Sequence, residues 1–138
     1  MTVPDPERPL HLRPAMLGVV LVGGAVGTAA REGLVLAVPM LGALPVAILL
    51  INVVGAFVLG VLLEALIRGG PDEGGRRLTR LGVGTGFCGG FTTYSTLAVG
   101  TAELLRSGTT GLAIAYAVGS VLLGAVAAWA GVLVGTRR

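Results

Sequence analysis

Gly82–Leu97 reads GVGTGFCGGFTTYSTL. Two adjacent glycines, Gly89 and Gly90, precede Thr92, Thr93, Tyr94, Ser95 and Thr96, and the whole run sits at the centre of an apolar stretch. It is poor helix material, because glycine costs about 1 kcal/mol relative to alanine and β-branched threonine is also disfavoured. The glycines resemble a phosphate-binding loop, but the lysine that such a loop needs is missing. A membrane helix that breaks in mid-bilayer frees backbone carbonyls and amides, which protein, water or a bound ion must satisfy. Breaks of this kind are a common way to build ion sites. The alternative is a kinked helix whose threonines bond back to their own backbone.

The rest of the chain supports a membrane setting. Of 138 residues, 54% are hydrophobic and only 12% charged, against about 25% in a soluble domain. Mean hydropathy is +0.90. A soluble domain this small cannot hide so much apolar surface, whereas a bilayer can. Four apolar runs are expected to cross it: about Pro14–Val38, Leu41–Ile67, Leu81–Leu105 and Thr109–Gly135. Each is long enough to span about 30 Å of hydrocarbon. Residues 1–13, rich in proline and charge, read as a disordered cytoplasmic tail, and residues 14–138 as a single four-helix transmembrane domain. The 24 glycines lie mostly inside the apolar runs. Gly23 and Gly27, Gly86 and Gly90, and Gly131 and Gly135 have the four-residue spacing that lets membrane helices approach closely.

There is no lysine, and the arginines are unevenly placed. Arg8, Arg13, Arg68, Arg76, Arg77, Arg80, Arg137 and Arg138 fall on one side of the four expected spans, and only Arg31 and Arg106 on the other. Positive loops stay in the cytoplasm, so both termini are expected there.

Polar groups inside a span are costly unless paired, so each is a candidate for function. Asn52 lies deep in the second span, with Gly55 on the same face, where a neighbour has room to approach. Its amide serves equally well as an interhelical hydrogen-bonding group or as part of an ion path. Arg31, beside Glu32 at the end of the first span, reads as a snorkelling arginine or as a positive charge at a pore mouth. Tyr116, Ser120 and Gly124 share one face of the fourth span. Cys88 is the only cysteine and reads as a small packing residue, and His11 lies in the tail. Without a Cys/His cluster or a nucleophile–base pair, neither a zinc site nor an enzyme is expected.

Three pieces together carry a family resemblance: GGAVGTAAR at Gly23–Arg31, INVVGAFVLG at Ile51–Gly60 and GFCGGFTTYST at Gly86–Thr96. With them the chain resembles the Fluc/CrcB fluoride channels over all four spans. The resemblance implies an all-α antiparallel dimer in the cytoplasmic membrane, passive export of fluoride, and a third helix broken at the dimer axis. It implies a central structural sodium ion held by the carbonyls of Gly89 and Thr92. It implies that Asn52 faces the anion path, that Tyr94 and Leu97 take the two aromatic pore positions, and that Tyr116 and Ser120 line the path from the fourth helix. The chemistry suits fluoride, a small and strongly hydrated anion whose water must be replaced by donors. The amide of Asn52, the hydroxyls of Thr93, Ser95, Thr96 and Ser120, and aromatic ring edges supply them. Nothing calls for a nucleotide or a nucleic acid.

The chain departs from the family pattern at several places. Leu97 replaces a pore phenylalanine, Ile48 stands where threonine is common, Gly124 where a serine occurs, and Gly100 where a glutamate often follows the motif. A protein inserting in both orientations needs balanced loop charge, and this chain is unbalanced. The expectation is therefore a single orientation and an antiparallel partner that is a related chain of opposite bias, with a homodimer as the alternative. Rival readings are a small multidrug-type exporter, for which Glu32 and Glu64 are the candidate acids, and a non-conducting partner subunit.

Overall fold

The computed structural model describes Pro9 and residues 13–137; the tail expected at residues 1–13, His11 included, lies almost wholly outside the described residues. The described chain is helical, interrupted by short turns. Helix α1 spans Pro14–Ala37 and α2 Val46–Arg68; α3 is the short Gly74–Thr79, which passes into a π-helical segment, Arg80–Cys88, and then α4, Gly89–Phe91. Helix α5 covers Ser95–Arg106 and α6 Thr110–Gly135. Among the described residues, α1, α2 and α6 are long and apolar enough to cross a membrane, with mean hydropathies of 1.5, 2.8 and 2.1.

Two boundaries differ from the sequence expectation. Helix α2 begins at Val46 rather than near Leu41, because Leu41 and Leu44 close a tight turn through Gly42, whose φ is +62°, and Pro45 then caps the helix. The stretch between the second and third expected spans, residues 68–80, turns only through Gly69–Glu73 before helix resumes at Gly74. Asp72 ties that turn to the helix ahead: the Arg80 guanidinium donates through Nε and one Nη to its two carboxylate oxygens, at 3.0 and 2.7 Å, and Arg77 lies 3.8 Å from it. Such bidentate pairing is directional. The Arg80 guanidinium holds the Asp72 carboxyl below its ordinary value of 3.8.

Packing follows the small residues. Helix α1 lies against the π-helical segment and α4, and α2 lies against α6. A methyl on Gly23 would fall on the Gly82 carbonyl, one on Gly27 on the Phe87 carbonyl, and one on Gly90 on the Gly24 carbonyl. Gly60 faces the Ala128 carbonyl and Gly131 the Phe57 carbonyl in the same way, and a methyl on Gly135 would lie 2.9 Å from the Val61 oxygen. These are backbone-to-backbone contacts, the source of packing energy between helices in lipid. Cys88 is 2% exposed and packs inside. The apolar core gathers Ile48, Ile51, Phe91, Leu97, Leu104, Ala113 and Tyr116 between α2, α4, α5 and α6. Little else is covered: only 6%, 28% and 11% of the apolar windows of α1, α2 and α6 are buried, so their outer faces must meet lipid or another chain.

Candidate functional site: the helix break at Thr92–Tyr94

Helix α4 stops at Phe91 and α5 starts at Ser95, with Thr92 extended between them at φ −79°, ψ 155°. The local bonding explains where the break falls. Thr92 donates both its N–H and its hydroxyl to the Cys88 carbonyl, at 2.9 and 2.8 Å, which closes the last turn. Thr93 then caps α5: its Oγ1 accepts the Thr96 N–H at 3.2 Å and lies 3.1 Å from Ser95 Oγ and 3.0 Å from Thr96 Oγ1. A hydroxyl accepting an N–H of the first turn is how threonine starts a helix. Back-bonding and breakage, opposed in the sequence reading, occur side by side.

The backbone groups of the break can be accounted for one by one. Cys88 O is taken by Thr92. Gly90 O accepts a long contact, 3.5 Å, from the Thr28 hydroxyl of α1. Thr93 uses both its groups on Asn52: the Asn52 Nδ2 donates to Thr93 O at 2.9 Å, and the Thr93 N–H donates to Asn52 Oδ1 at 2.8 Å. Among the described residues the carbonyls of Gly89, Phe91 and Thr92 accept no hydrogen bond. Gly89 is exposed on the surface of the protomer, and Thr92 is half-buried. The break thus sets the carbonyl end of one helical segment beside the N–H end of another, attractive to a cation and an anion respectively.

An open groove of about 340 Å³ runs beside the break and brings together Asn52, Thr92, Thr93, Tyr94 and Ser120, with Leu97 and Gly124 in its wall. Gly55 lets α2 come this close, because a methyl there would strike the Thr92 side chain and lie 3.3 Å from the Phe91 ring. Among the described residues no charged side chain lines the groove. Tyr94, 81% exposed, stands at the open edge of the groove. Ser120, 5% exposed, spends its hydroxyl on the Tyr116 carbonyl at 2.6 Å.

The other candidates sit elsewhere. Thr96 lines a second groove, of about 300 Å³, with Ile48, Gly100 and Glu103, and its hydroxyl lies 3.0 Å from that of Thr93 in the first. Ser95 is exposed. Tyr116 belongs to the apolar core, its hydroxyl buried beside Gly100 with no partner among the described residues. Arg31, half-buried on α1, does not line either groove. Sequence reasoning passed over Thr28, although it lies within the GGAVGTAAR run. An exporter driven by a buried acid finds no support: Glu32 is exposed, and Glu64 accepts a hydrogen bond from Arg68 at 2.8 Å.

The sequence pattern of the family described as CrcB-like protein, Camphor Resistance (CrcB), matches residues 18–132. The chain belongs to the CrcB-like family. Similar family proteins include one from Leifsonia xyli named fluoride-specific ion channel FluC 2, 50% identical over 92% of this chain and 88% of the relative. Another, from Cutibacterium acnes and named fluoride-specific ion channel FluC 1, is 47% identical over 87% and 85%. The protein of Deinococcus radiodurans named fluoride-specific ion channel FluC is 45% identical over 84% and 91%. Both the break and Asn52 fall inside the matched CrcB-like region.

Proposed function

We propose that this chain is a subunit of a passive, fluoride-selective channel of the cytoplasmic membrane, working as an antiparallel dimer that lets fluoride leave the cell. The observation that carries this reading is the break at Thr92–Tyr94, where unclaimed carbonyls lie beside an uncharged groove that carries the Asn52 amide and a few hydroxyls. Fluoride sheds its water only where donors replace it, and an uncharged groove binds an anion weakly enough to release it. Asn52, Thr93 and Tyr94 offer those donors within the first groove, Ser95 and Thr96 continue from Thr93, and Ser120 and Tyr116 shape the wall, the Ser120 hydroxyl being donated to the Tyr116 carbonyl. Arg31 serves at the mouth by drawing anions toward the pore.

The unclaimed carbonyls of Gly89 and Thr92 fit a hard cation such as sodium. One protomer supplies two oxygens on its surface, and a second copy of the break, brought up by two-fold symmetry, supplies two more. A sodium ion bound there adds a fixed positive charge close to the anion groove. In this reading Gly74–Phe91 and Ser95–Arg106 together make the third crossing in chain order, and its backbone is irregular only where it lines the groove or the dimer axis.

The arginine bias favours one orientation with both termini in the cytoplasm, and hence a related chain of opposite bias as the dimer partner. Leu97, Ile48, Gly100 and Gly124 leave this chain's own path short of polar groups, which such a partner supplies. Expression in a bacterial host lacking fluoride export tests the reading, with a topology reporter fused to the C-terminus. The expected result is a cytoplasmic signal only, and growth in fluoride restored fully when the related chain is co-expressed. Rescue by this chain alone, with reporter signal on both sides, refutes the single orientation. No rescue in either case, from inserted protein, refutes the channel.

A further inference from the structure

We infer that Asn52 is a positioning residue whose carboxamide clamps the backbone of Thr93 and thereby presents one N–H, at a fixed angle, to the anion in the groove. The inference rests on the fluoride-channel reading and adds to it a cause for the orientation of the donor. A free asparagine amide turns about its last side-chain bond and offers its oxygen as readily as its nitrogen, and an oxygen turned toward an anion repels it. Here the choice is removed. Oδ1 faces the Thr93 N–H at 2.8 Å and Nδ2 faces the Thr93 carbonyl at 2.9 Å. Turning the amide over would set oxygen against oxygen and N–H against N–H, so the pair of bonds permits one orientation only. One hydrogen remains on Nδ2, and Asn52 lines the groove.

The same two bonds solve a problem of the break. The N–H and carbonyl of Thr93 leave the helical ladder where water is scarce, and unpaired groups there are costly. Asn52 satisfies both from α2, so break and donor share one support. The contact needs α2 to come close, which Gly55 permits against Thr92. A groove whose donor is fixed before the ion arrives pays no reorganisation on binding.

Replacing the Thr93 N–H by an ester oxygen, with threonine's hydroxy-acid analogue, deletes one bond of the clamp and leaves every side chain intact; it also weakens the Thr92 carbonyl as an acceptor, an effect that adds to that of Asn52→Ala and is separated by the double variant. Purified dimers are reconstituted in vesicles loaded with fluoride or chloride. The ester is expected to slow fluoride efflux tenfold or more and to lower the fluoride-to-chloride ratio. Asn52→Ala gives a comparable loss, and the two together lose little more than either alone, the mark of coupled groups. An ester that conducts and selects like the parent, while Asn52→Ala fails, overturns the clamp and leaves Asn52 a simple lining group. Losses that multiply overturn it too. If the parent vesicles release no fluoride, the channel reading fails instead, and thermal unfolding of the four proteins in detergent reads the coupling: non-additive losses uphold the clamp, additive ones overturn it.

Discussion

Gly27 of α1 lies directly against the carbonyl of Phe87, so close that a methyl group on Gly27 would overlap the oxygen. The contact fixes α1 against the π-helical segment that leads to the break, and it belongs to a row with Gly23, Gly86 and Gly90. Gly27→Ala is expected to push the two helices apart at a cost of about 1–3 kcal/mol, the range for overpacking. Gly18→Ala, with open space around the new methyl, serves as the control and is expected to be neutral or to stabilise by up to about 1 kcal/mol, alanine being the better helix former. Thermal unfolding in detergent checks both, and equal midpoints would mean the row does not hold the segment.

Gly124 lines the groove, and a side chain there meets nothing within 4 Å. Gly124→Ser therefore adds a hydroxyl without strain. One added hydrogen bond is worth about 1 kcal/mol net, so fluoride efflux is expected to rise up to about fivefold. Gly124→Ala separates the hydroxyl from the extra carbon and is expected to leave the rate unchanged.

At Thr92 the hydroxyl is committed to Cys88 and the carbonyl is unclaimed. If the carbonyl holds sodium, Thr92→Ala loses about 1 kcal/mol of stability with its hydroxyl bond but keeps the response to sodium. The comparison is the unfolding midpoint in sodium and in a bulky organic cation. A parent whose midpoint is the same in both contradicts the sodium site; a response abolished in Thr92→Ala assigns it to the hydroxyl.

These positions were unevenly legible in the sequence. The break could be read from Gly89–Gly90 followed by threonines, because it is set by local backbone preference. Asn52 stood out as an amide in an apolar run, but its partner lies 41 residues away, and local spacing says nothing of such a pair. Tyr116 and Ser120 do share a face of α6, yet the ring enters the core while the serine hydroxyl bonds to its own helix. Periodicity gives the face and not the neighbour. The helix at Gly74–Thr79 escaped notice because two glycines open it, and the ion pair between Asp72 and Arg80 spans more residues than a local rule covers.

That ion pair gives a pH dependence with a definite sign. Arg80 lowers the folded-state pKa of Asp72 beneath 3.8. The stabilisation is therefore fully present above about pH 4, near the unfolded value. It is lost as pH falls through the lowered folded value. Asp72→Asn is expected to flatten this part of the acid limb of the unfolding midpoint and to leave the slope between about pH 5 and about pH 8, above the range in which carboxylates titrate, unchanged. An unaltered acid limb would mean that the pair contributes nothing at this exposed site.

The most direct measurement is anion efflux from liposomes loaded with potassium fluoride or potassium chloride, with valinomycin to carry the potassium. The chain is tested with a related chain of opposite charge bias and, separately, alone. Rapid fluoride release with chloride retained, in the paired vesicles, is the predicted result. Retention of fluoride by folded, reconstituted protein, or equal release of both anions, would contradict the account.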